Sequence, residues 1–383
     1  MSEEQKRNIL ILSGVFDGHI PGIIEIAKEL KSLGHNVTCY ILDRFENRLI
    51  QSGAKLIPFS VGKIELPPEA PPIAKNCFLF AKAYDEIISK FLESKEEYDF
   101  LLYDSFFDGK EINKIFKIPN IISVHVFPVG EIPPSVKENY SNRMKPYNFI
   151  NKKYNLNLTD FLTCHYSTNA KYKLILTSKL FNPEQKIIDD SYYFIGPSIE
   201  ERPIDNSFNF KKDENKKLIY ISLGTIFNNN IEFYKECIET FRNMKEFQII
   251  MSVGNMINIK DLGGIIDNIY VFNYVPQLQV LKEADIFISH GGINSINEAI
   301  FLNKVPLIII PQQIDQFDNA KKIEELGAGI ALDNKTINQE ILKNAVSQIL
   351  NNENKFQSGI EVIKKSFKDS REERKKLYEK IFV

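Results

Sequence analysis

A glycine-rich turn at residues 289–298 is the segment best suited to chemistry. It reads Ser-His-Gly-Gly-Ile-Asn-Ser-Ile-Asn-Glu, follows a four-residue apolar run and opens a helical pattern. Glycines let a ligand approach the backbone, and the free N–H groups of a helix start favour a phosphate. A tight turn capped by Asn294 or Ser295 would explain the glycines, but it needs neither His290 nor Glu298. The segment therefore predicts an anion site.

Polar residues also follow three other apolar runs. Residues 273–277, Asn-Tyr-Val-Pro-Gln, offer an aromatic face and an amide to a planar base. Residues 311–316 bring Asp315 and Gln316, and residues 222–225 add Ser-Leu-Gly-Thr. Ligands of open α/β sheets bind off the carboxyl ends of the strands, so these segments predict one crevice.

A lone histidine occupies the first loop of the chain. Residues 14–21 read Gly-Val-Phe-Asp-Gly-His-Ile-Pro, and His19 lies between a predicted strand and a predicted helix. Taken by itself, a histidine at a helix start is more often a cap or a surface residue than a functional one.

Short β-branched runs alternate with longer amphipathic segments, which is typical of βαβ units. In the first half we predict strands at 8–13, 36–42, 100–103 and 120–124, with helices at 21–33 and 110–116. In the second half we predict strands at 218–223, 247–252, 269–272, 286–289 and 305–310. Residues 65–72 and 126–157 are predicted to be long loops because proline, tyrosine and asparagine interrupt any periodicity.

The polar segment 200–217 reads as a linker between two doubly wound domains. We predict a first domain over 1–205, a second over 206–365, and a C-terminal helix over 366–383 that packs back on the first domain.

Composition excludes several classes of function. Of 383 residues, 48 are Lys or Arg and 50 are Asp or Glu, so no basic excess is present to bind nucleic acid. No apolar run reaches the roughly 18 residues of a membrane helix, and no signal-peptide core follows the start, which predicts a cytoplasmic protein. The four scattered cysteines predict buried free thiols rather than disulfides or a metal site.

Taken together, these segments resemble the family 1 glycosyltransferases of the GT-B fold, in particular the bacterial macrolide-type UDP-glycosyltransferases. The resemblance covers nearly the whole chain, including 37–40, 101–105, 195–197 and 222–225, and is most specific over 274–316. It implies an α/β protein with two Rossmann-like, doubly wound parallel-sheet domains that face each other across a cleft.

The resemblance also assigns residues to the nucleotide-sugar donor. Tyr274 matches the aromatic residue that stacks on uracil, Gln277 and Glu298 match residues at the ribose, and Asp315 with Gln316 match the pair that holds the sugar hydroxyls. The full implied donor set is Thr225, Tyr274, Val275, Gln277, His290, Gly292, Asn294, Ser295, Glu298, Asp315 and Gln316.

The catalytic pair implied by the resemblance lies in the first domain. His19 matches the general base, and Asp104 matches the carboxylate that orients it. Asp17 is an alternative carboxylate that we rank below Asp104. Family members often carry an aromatic or a small residue at the position of Asp108, which bears on the acceptor pocket. That pocket is expected to be lined by Phe106, Phe107, Phe127 and His125.

The activity implied is the transfer of a hexose, expected to be glucose, from a UDP-sugar to a hydroxyl of a small apolar acceptor such as a macrolide or flavonoid. Inversion would give a β-glycoside. The crevice segments contain no DxD-type pair that would bind a metal, and no tightly bound cofactor is expected. The alternatives are a dTDP-sugar donor, a sugar-nucleotide epimerase or lipid-linked sugar transferase, and a non-catalytic auxiliary homologue. A nicotinamide oxidoreductase is disfavoured because the first turn lacks G-x-G-x-x-G spacing.

Overall fold

The computed structural model describes residues 6–65, 72–128, 137–138, 140–168, 170–182, 188–199, 204–225, 228–264, 266–303, 305–312 and 314–382. The chain divides into two compact units. The N-terminal unit runs to residue 200, apart from 179–181, and takes in 370–383; the C-terminal unit comprises 201–369 with 179–181.

Seven parallel strands form the sheet of the N-terminal unit, in the order β3-β2-β1-β4-β5-β6-β7. They are β1 (Asn8–Leu12), β2 (Asn36–Leu42), β3 (Lys55–Phe59), β4 (Phe100–Asp104), β5 (Asn120–His125), β6 (Tyr172–Ile175) and β7 (Tyr192–Phe194). The central strands β1 and β4 are almost wholly buried, as parallel strands covered on both faces are.

Helices lie between the strands of this sheet in the sequence. They are α1 (Ile20–Ser32), α2 (Glu46–Leu49), α3 (Pro72–Ser94), α4 (Gly109–Phe116), α5 (Tyr140–Tyr154) and α6 (Phe161–Ser167). Proline in the first turn of α1 suits a position whose N–H has no partner within the helix. The buried face of α1 repeats at helical spacing through Ile23, Ala27 and Leu30.

The prediction of a long loop over 126–157 is wrong, because α5 occupies most of its second half. The buried face of α5 carries Arg143, Tyr147 and Ile150. The Arg143 guanidinium binds the fully buried Asp160 at 2.9 Å. A charged residue therefore occupies a buried position at which an apolar residue would have completed the helical pattern. Of the other predicted loop, residues 66–71 lie outside the described residues, and α3 begins directly after them.

The C-terminal unit holds a second sheet of six parallel strands, in the order β10-β9-β8-β11-β12-β13. They are β8 (Lys217–Ser222), β9 (Phe247–Ser252), β10 (Ile269–Phe272), β11 (Ile286–Ser289), β12 (Leu307–Ile309) and β13 (Gly329–Ala331). Its helices are α7 (Ile231–Phe241), α8 (Gln277–Leu281), α9 (Ile293–Asn303), α10 (Ile314–Glu325), α11 (Gln339–Asn351) and α12 (Glu353–Phe382). The predicted α/β class with two doubly wound parallel sheets is confirmed.

Both sheets reverse their strand order at one point, between β1 and β4 in the first and between β8 and β11 in the second. The loops that leave the carboxyl ends of two such strands diverge to opposite sides and open a crevice. Each sheet therefore has one preferred place for a site.

The last helix, α12, contributes to both units along its 30 residues. Within the N-terminal unit, Arg374 is 1% exposed and its guanidinium binds Glu25 at 2.9 Å and Glu29 at 2.8 Å. Arg371 also binds Glu25. Burial raises the pKa of Glu29, and the Arg374 charge opposes that rise. These pairs fix the end of α12 against α1.

All four cysteines are buried free thiols, as predicted. Cys39, Cys77 and Cys164 belong to the N-terminal unit and Cys237 to the C-terminal unit. Burial raises the pKa of the Cys39 thiol to about 12. Among the described helices, none is long and apolar enough to cross a membrane.

Candidate active site

A histidine and an aspartate meet where the strand order of the first sheet reverses. His19 ends a 3₁₀ turn (Asp17–His19) that follows β1, and Asp104 is the last residue of β4. Because β1 and β4 are neighbours in register, the two side chains come together, with His19 Nδ1 2.5 Å from Asp104 Oδ2. Only 7% of His19 and 1% of Asp104 are exposed. An imidazole that donates from Nδ1 presents Nε2 as the nitrogen that accepts a proton.

The carboxylate of this pair is held from two further directions. Asp104 Oδ1 accepts the Phe106 N–H at 2.9 Å. Gly14 approaches so closely that a Cβ placed there would lie 2.9 Å from Asp104 Cγ and 3.0 Å from His19 Cβ. Glycine is therefore the residue that lets the first loop pass beside the His19–Asp104 pair.

Aromatic rings surround the histidine. Phe106 lies 4.8 Å and Phe16 5.8 Å from His19 between ring centroids. Further rings extend the group through edge-to-face and stacked contacts. We call this set the aromatic cluster: Phe16, Phe80, Phe106, Phe127, Phe161 and His165.

Two buried imidazoles, His165 of this cluster and the neighbouring His125, are each hydrogen-bonded to a serine. His165 Nδ1 lies 2.8 Å from Ser105 Oγ, and His125 Nε2 lies 2.8 Å from Ser123 Oγ. Burial lowers the pKa of His125 to about 3, assisted by the charges of Lys173 and His19. His125 is therefore neutral at physiological pH and adds a polar atom, not a charge, to these surroundings.

The glycine-rich turn lies at the reversal point of the second sheet, between β11 and α9. The His290 ring fills the space beside the loop that follows β8: a Cβ at Gly224 would lie 2.6 Å from His290 Cε1. Gly224 also has φ +79°, a conformation that favours glycine. Burial lowers the pKa of His290 to about 4, so its imidazole is neutral. Gly292 lies beside the same ring, because a Cβ placed on Gly292 would be 2.5 Å from His290 Nε2.

Side chains from α8 and α9 meet beside this turn. Gln277, the first residue of α8, donates from Nε2 to Glu298 Oε2 at 2.6 Å and lies 3.5 Å from Ser295 Oγ. Glu298 and Ser295 are buried on α9, and Asn294 lies half-buried in its first turn. Three residues predicted separately from the sequence are therefore in one hydrogen-bonded group.

The segment before α8 contributes an exposed ring. Tyr274 is 66% exposed, whereas Val275 beside it is 3% exposed and packs inward. Asn273 fixes this segment, because its amide donates to the carbonyls of Gly254 at 2.7 Å and Ile257 at 3.1 Å. Thr225 is exposed in the loop that follows β8.

The loop after β12 places the last predicted pair. Asp315 is half-buried in the first turn of α10, and Gln316 is 7% exposed. Gln316 Oε1 accepts the Gln312 N–H at 2.8 Å, so the Gln316 Nε2 group is the end that donates. From the same helix, Asn319 Nδ2 donates to Gly291 O at 3.0 Å. Helix α10 is thereby attached to the glycine-rich turn.

Comparison with known proteins gives a consistent result. Residues 225–374 match the family model of the glycosyltransferase family 28 C-terminal domain. The chain is 29% identical over 367 residues to an uncharacterized UDP-glucosyltransferase, YojK, of Bacillus subtilis, covering 90% of each chain. It is 25% identical to an oleandomycin glycosyltransferase of Streptomyces antibioticus, over 88% of this chain and 81% of that one. The chain is a glycosyltransferase that is similar to these enzymes over most of its length.

The fold of this glycosyltransferase agrees with the assignment. The solved glycotransferase of kitacinnamycin superposes with a TM-score of 0.76 at 21% identity and covers 98% of this chain and 99% of its own. The architecture is therefore GT-B, and the glycosyltransferase acts with a nucleotide-sugar donor and an acceptor.

Two carboxylates of the first unit have other partners. Asp17 Oδ1 is 3.4 Å from Arg48, and Asp17 Oδ2 is 3.7 Å from Arg44. Asp108 caps α4 by accepting the Glu111 N–H at 3.1 Å, and burial raises its pKa. The residue that departs from the usual family pattern thus has a helix-capping contact in this glycosyltransferase.

Several neighbours of the site escaped the sequence analysis. Gly14 borders the His19–Asp104 pair, Phe161 and His165 belong to the aromatic cluster, and Tyr220 contacts Gln277. Phe107, predicted to line the acceptor pocket, is 1% exposed and packs against Phe80 of the aromatic cluster at 5.3 Å. Over the described ranges, no group of three or more His, Cys, Asp or Glu residues is arranged to hold a metal ion.

Proposed function

We propose that this glycosyltransferase moves glucose from UDP-glucose to a hydroxyl group of a small apolar acceptor, with inversion, to give a β-glycoside. The observation that carries the proposal is the buried His19–Asp104 pair, 2.5 Å apart and enclosed by the aromatic cluster. UDP and glucose are supported by the name of the Bacillus relative, and an apolar acceptor by that of the oleandomycin enzyme.

In this proposal His19 is the general base. His19 Nε2 takes the proton of the acceptor hydroxyl while the acceptor oxygen bonds to the anomeric carbon. The bond from that carbon to the diphosphate breaks at the same time, and UDP leaves with the electron pair. The Asp104 carboxylate then stabilises the imidazolium that His19 has become. Attack from the face opposite the leaving group inverts the anomeric centre.

The C-terminal unit binds the donor in this proposal. Backbone N–H groups at the start of α9, together with His290 as a neutral donor and the Thr225 hydroxyl, face the diphosphate as it gains charge. Gly292, Asn294 and Ser295 belong to the same anion site. Hydrogen-bond donors held in place by the fold need no reorganisation when that charge develops.

The remaining donor contacts recognise the nucleoside and the sugar. Tyr274 has the exposure needed to stack on uracil, with Val275 beside it, and Glu298 accepts hydrogen bonds from the ribose hydroxyls. Asp315 and Gln316 hold the glucose hydroxyls. The aromatic cluster provides an apolar wall for an acceptor of the macrolide or flavonoid kind.

The test is turnover of UDP-glucose, and in parallel dTDP-glucose, with a set of hydroxylated aglycones in the presence of EDTA. We expect a product whose anomeric proton coupling identifies a β linkage. His19→Ala should lower kcat by about a hundredfold or more while UDP affinity stays unchanged. His35→Asn is the control, because the asparagine oxygen can accept the Arg7 N–H as the His35 ring does.

Four results would contradict the proposal. An α-linked product would exclude direct inversion, and full activity of His19→Ala would exclude the His19 base. UDP binding without turnover of any acceptor would favour an auxiliary role, and a requirement for added Mg²⁺ would contradict metal-free stabilisation of the diphosphate.

A further inference from the structure

A relay of polar side chains, buried at both ends and half-buried at Gln277, connects the core of the C-terminal unit with Glu298. Tyr220 on β8 donates its hydroxyl to Gln277 Oε1 at 3.3 Å, and Gln277 Nε2 donates to Glu298 Oε2 at 2.6 Å. Tyr220 is 1% exposed and Glu298 is 5% exposed. The relay therefore runs from the sheet to the carboxylate through one amide group.

The chemistry of the three groups gives the relay a direction. A glutamine amide has one end that only accepts and one that only donates, and a carboxylate only accepts. Burial raises the pKa of Tyr220, and hydrogen bonds with Ser222 and Ser252 oppose this only in part, so the hydroxyl keeps its proton at neutral pH. A flipped Gln277 would turn its oxygen toward Glu298. The Tyr220 hydroxyl therefore favours the orientation in which Gln277 donates to Glu298.

The Tyr220 ring is itself fixed in place. It stacks on Phe287, with centroids 4.8 Å apart and planes 12° from parallel. Tyr220 and Phe287 are register partners on the adjacent strands β8 and β11. The hydroxyl is thus held by the two strands at which the sheet order reverses, so the position of the amide is set from the buried centre of the sheet.

We propose that Tyr220 is a positioning residue for ribose recognition, which acts through Gln277 to hold the Glu298 carboxylate ready for the ribose hydroxyls. This inference rests on the proposed function, in which Glu298 binds the ribose. Tyr220 itself does not touch the donor. Its loss should weaken only those ligands that carry ribose hydroxyls, whereas a merely structural role would weaken every nucleotide equally.

The experiment compares UDP with 2′,3′-dideoxy-UDP by calorimetric titration of the full chain. Wild-type protein should bind UDP more tightly. In Tyr220→Phe, which removes one oxygen atom and keeps the stacked ring, we expect the Kd for UDP to rise about 3- to 10-fold, with the Kd for dideoxy-UDP unchanged. For turnover, KM for the donor should rise by the same factor while kcat stays constant.

Two further variants complete the test. Gln277→Leu removes the middle of the relay and should show the same selective loss. Tyr234→Phe is the matched control, because Tyr234 is a buried tyrosine of the same unit whose hydroxyl donates to the Ser252 carbonyl at 3.4 Å. Its Kd for both nucleotides should equal that of the wild type.

The outcomes separate this inference from the function on which it rests. Equal loss of both nucleotides in Tyr220→Phe, or no loss of either, would overturn the inference and leave the proposed function intact. Wild-type protein that binds both nucleotides equally would overturn the ribose role of Glu298 and the inference with it. Wild-type protein that binds neither would overturn the proposed donor.

Discussion

Replacing Gly14 by alanine tests how closely activity depends on the geometry of the His19–Asp104 pair. The added Cβ would lie 2.9 Å from Asp104 Cγ and nearer still to Oδ2, whereas real Cβ atoms do not come within 3.0 Å of such neighbours. The carboxylate must therefore move by at least about half an ångström. A shift of that size lengthens the 2.5 Å contact with His19 or displaces the Phe106 N–H.

Displacement of the carboxylate should raise the activation barrier of the transfer step. Loss of the orienting carboxylate in a comparable pair lowers turnover by about four orders of magnitude, and a partial displacement removes part of that. We expect Gly14→Ala to lower kcat about a hundredfold, which corresponds to about 2.7 kcal/mol in the barrier. Overpacking of the core should lower the free energy of unfolding by about 1 to 3 kcal/mol.

The assay measures kcat, KM for the donor and the melting temperature of Gly14→Ala. A matched control is Gly264→Ala, since a Cβ at Gly264 meets no atom within 4 Å. The control should retain wild-type turnover, and KM for the donor should change in neither variant. If Gly14→Ala kept kcat within about twofold of wild type, the argument that this glycine protects the pair would be refuted.

Two other predictions concern stability. Arg374→Met should lower the free energy of unfolding by about 3 kcal/mol, because it leaves Glu29 without its buried partner, whereas Lys376→Met at an exposed pair should leave the free energy of unfolding nearly unchanged; equal effects in urea unfolding would contradict this. His125 has a native pKa of about 3 against 6.5 for a free histidine. Its titration therefore leaves the free energy of unfolding unchanged above pH 6.5 and lowers it as the pH falls below that value. By pH 5 the cost is about 2 kcal/mol, and His125→Gln should flatten the dependence of unfolding free energy on pH over this interval; an unchanged slope would contradict it.

Much of the fold follows from hydrophobic patterning. Strands β9, β10 and β11 begin and end at the predicted residues, because their apolar runs are bounded by polar or turn-forming residues. Helix α5 was missed because Arg143 stands on its buried face and Pro146 lies within it. Strand β3 gave no signal, since it carries Pro58 and is mostly half-buried. Patterning cannot identify elements whose burial depends on a distant ion partner.

The candidate site was predictable to the extent that it lies at strand ends. His19 and His290 follow central strands and Asp104 ends one, and each parallel sheet brings such residues to its own carboxyl edge. Gly14 and Tyr220 were not found, because their roles come from a neighbour in space rather than from their own chemistry. The steric requirement for a glycine can be recognised only when the atoms around its Cα are known.

The distribution of buried thiols gives this protein an internal reporter of opening. The chain has no tryptophan, so tryptophan fluorescence cannot follow its unfolding. Its four cysteines are closed to reagents in the native state, three in one unit and Cys237 alone in the other. In a timed alkylation followed by mass analysis, label on Cys237 records opening of the C-terminal unit, and label on the other three records opening of the N-terminal unit. The order in which the labelled cysteines appear identifies the unit that opens first.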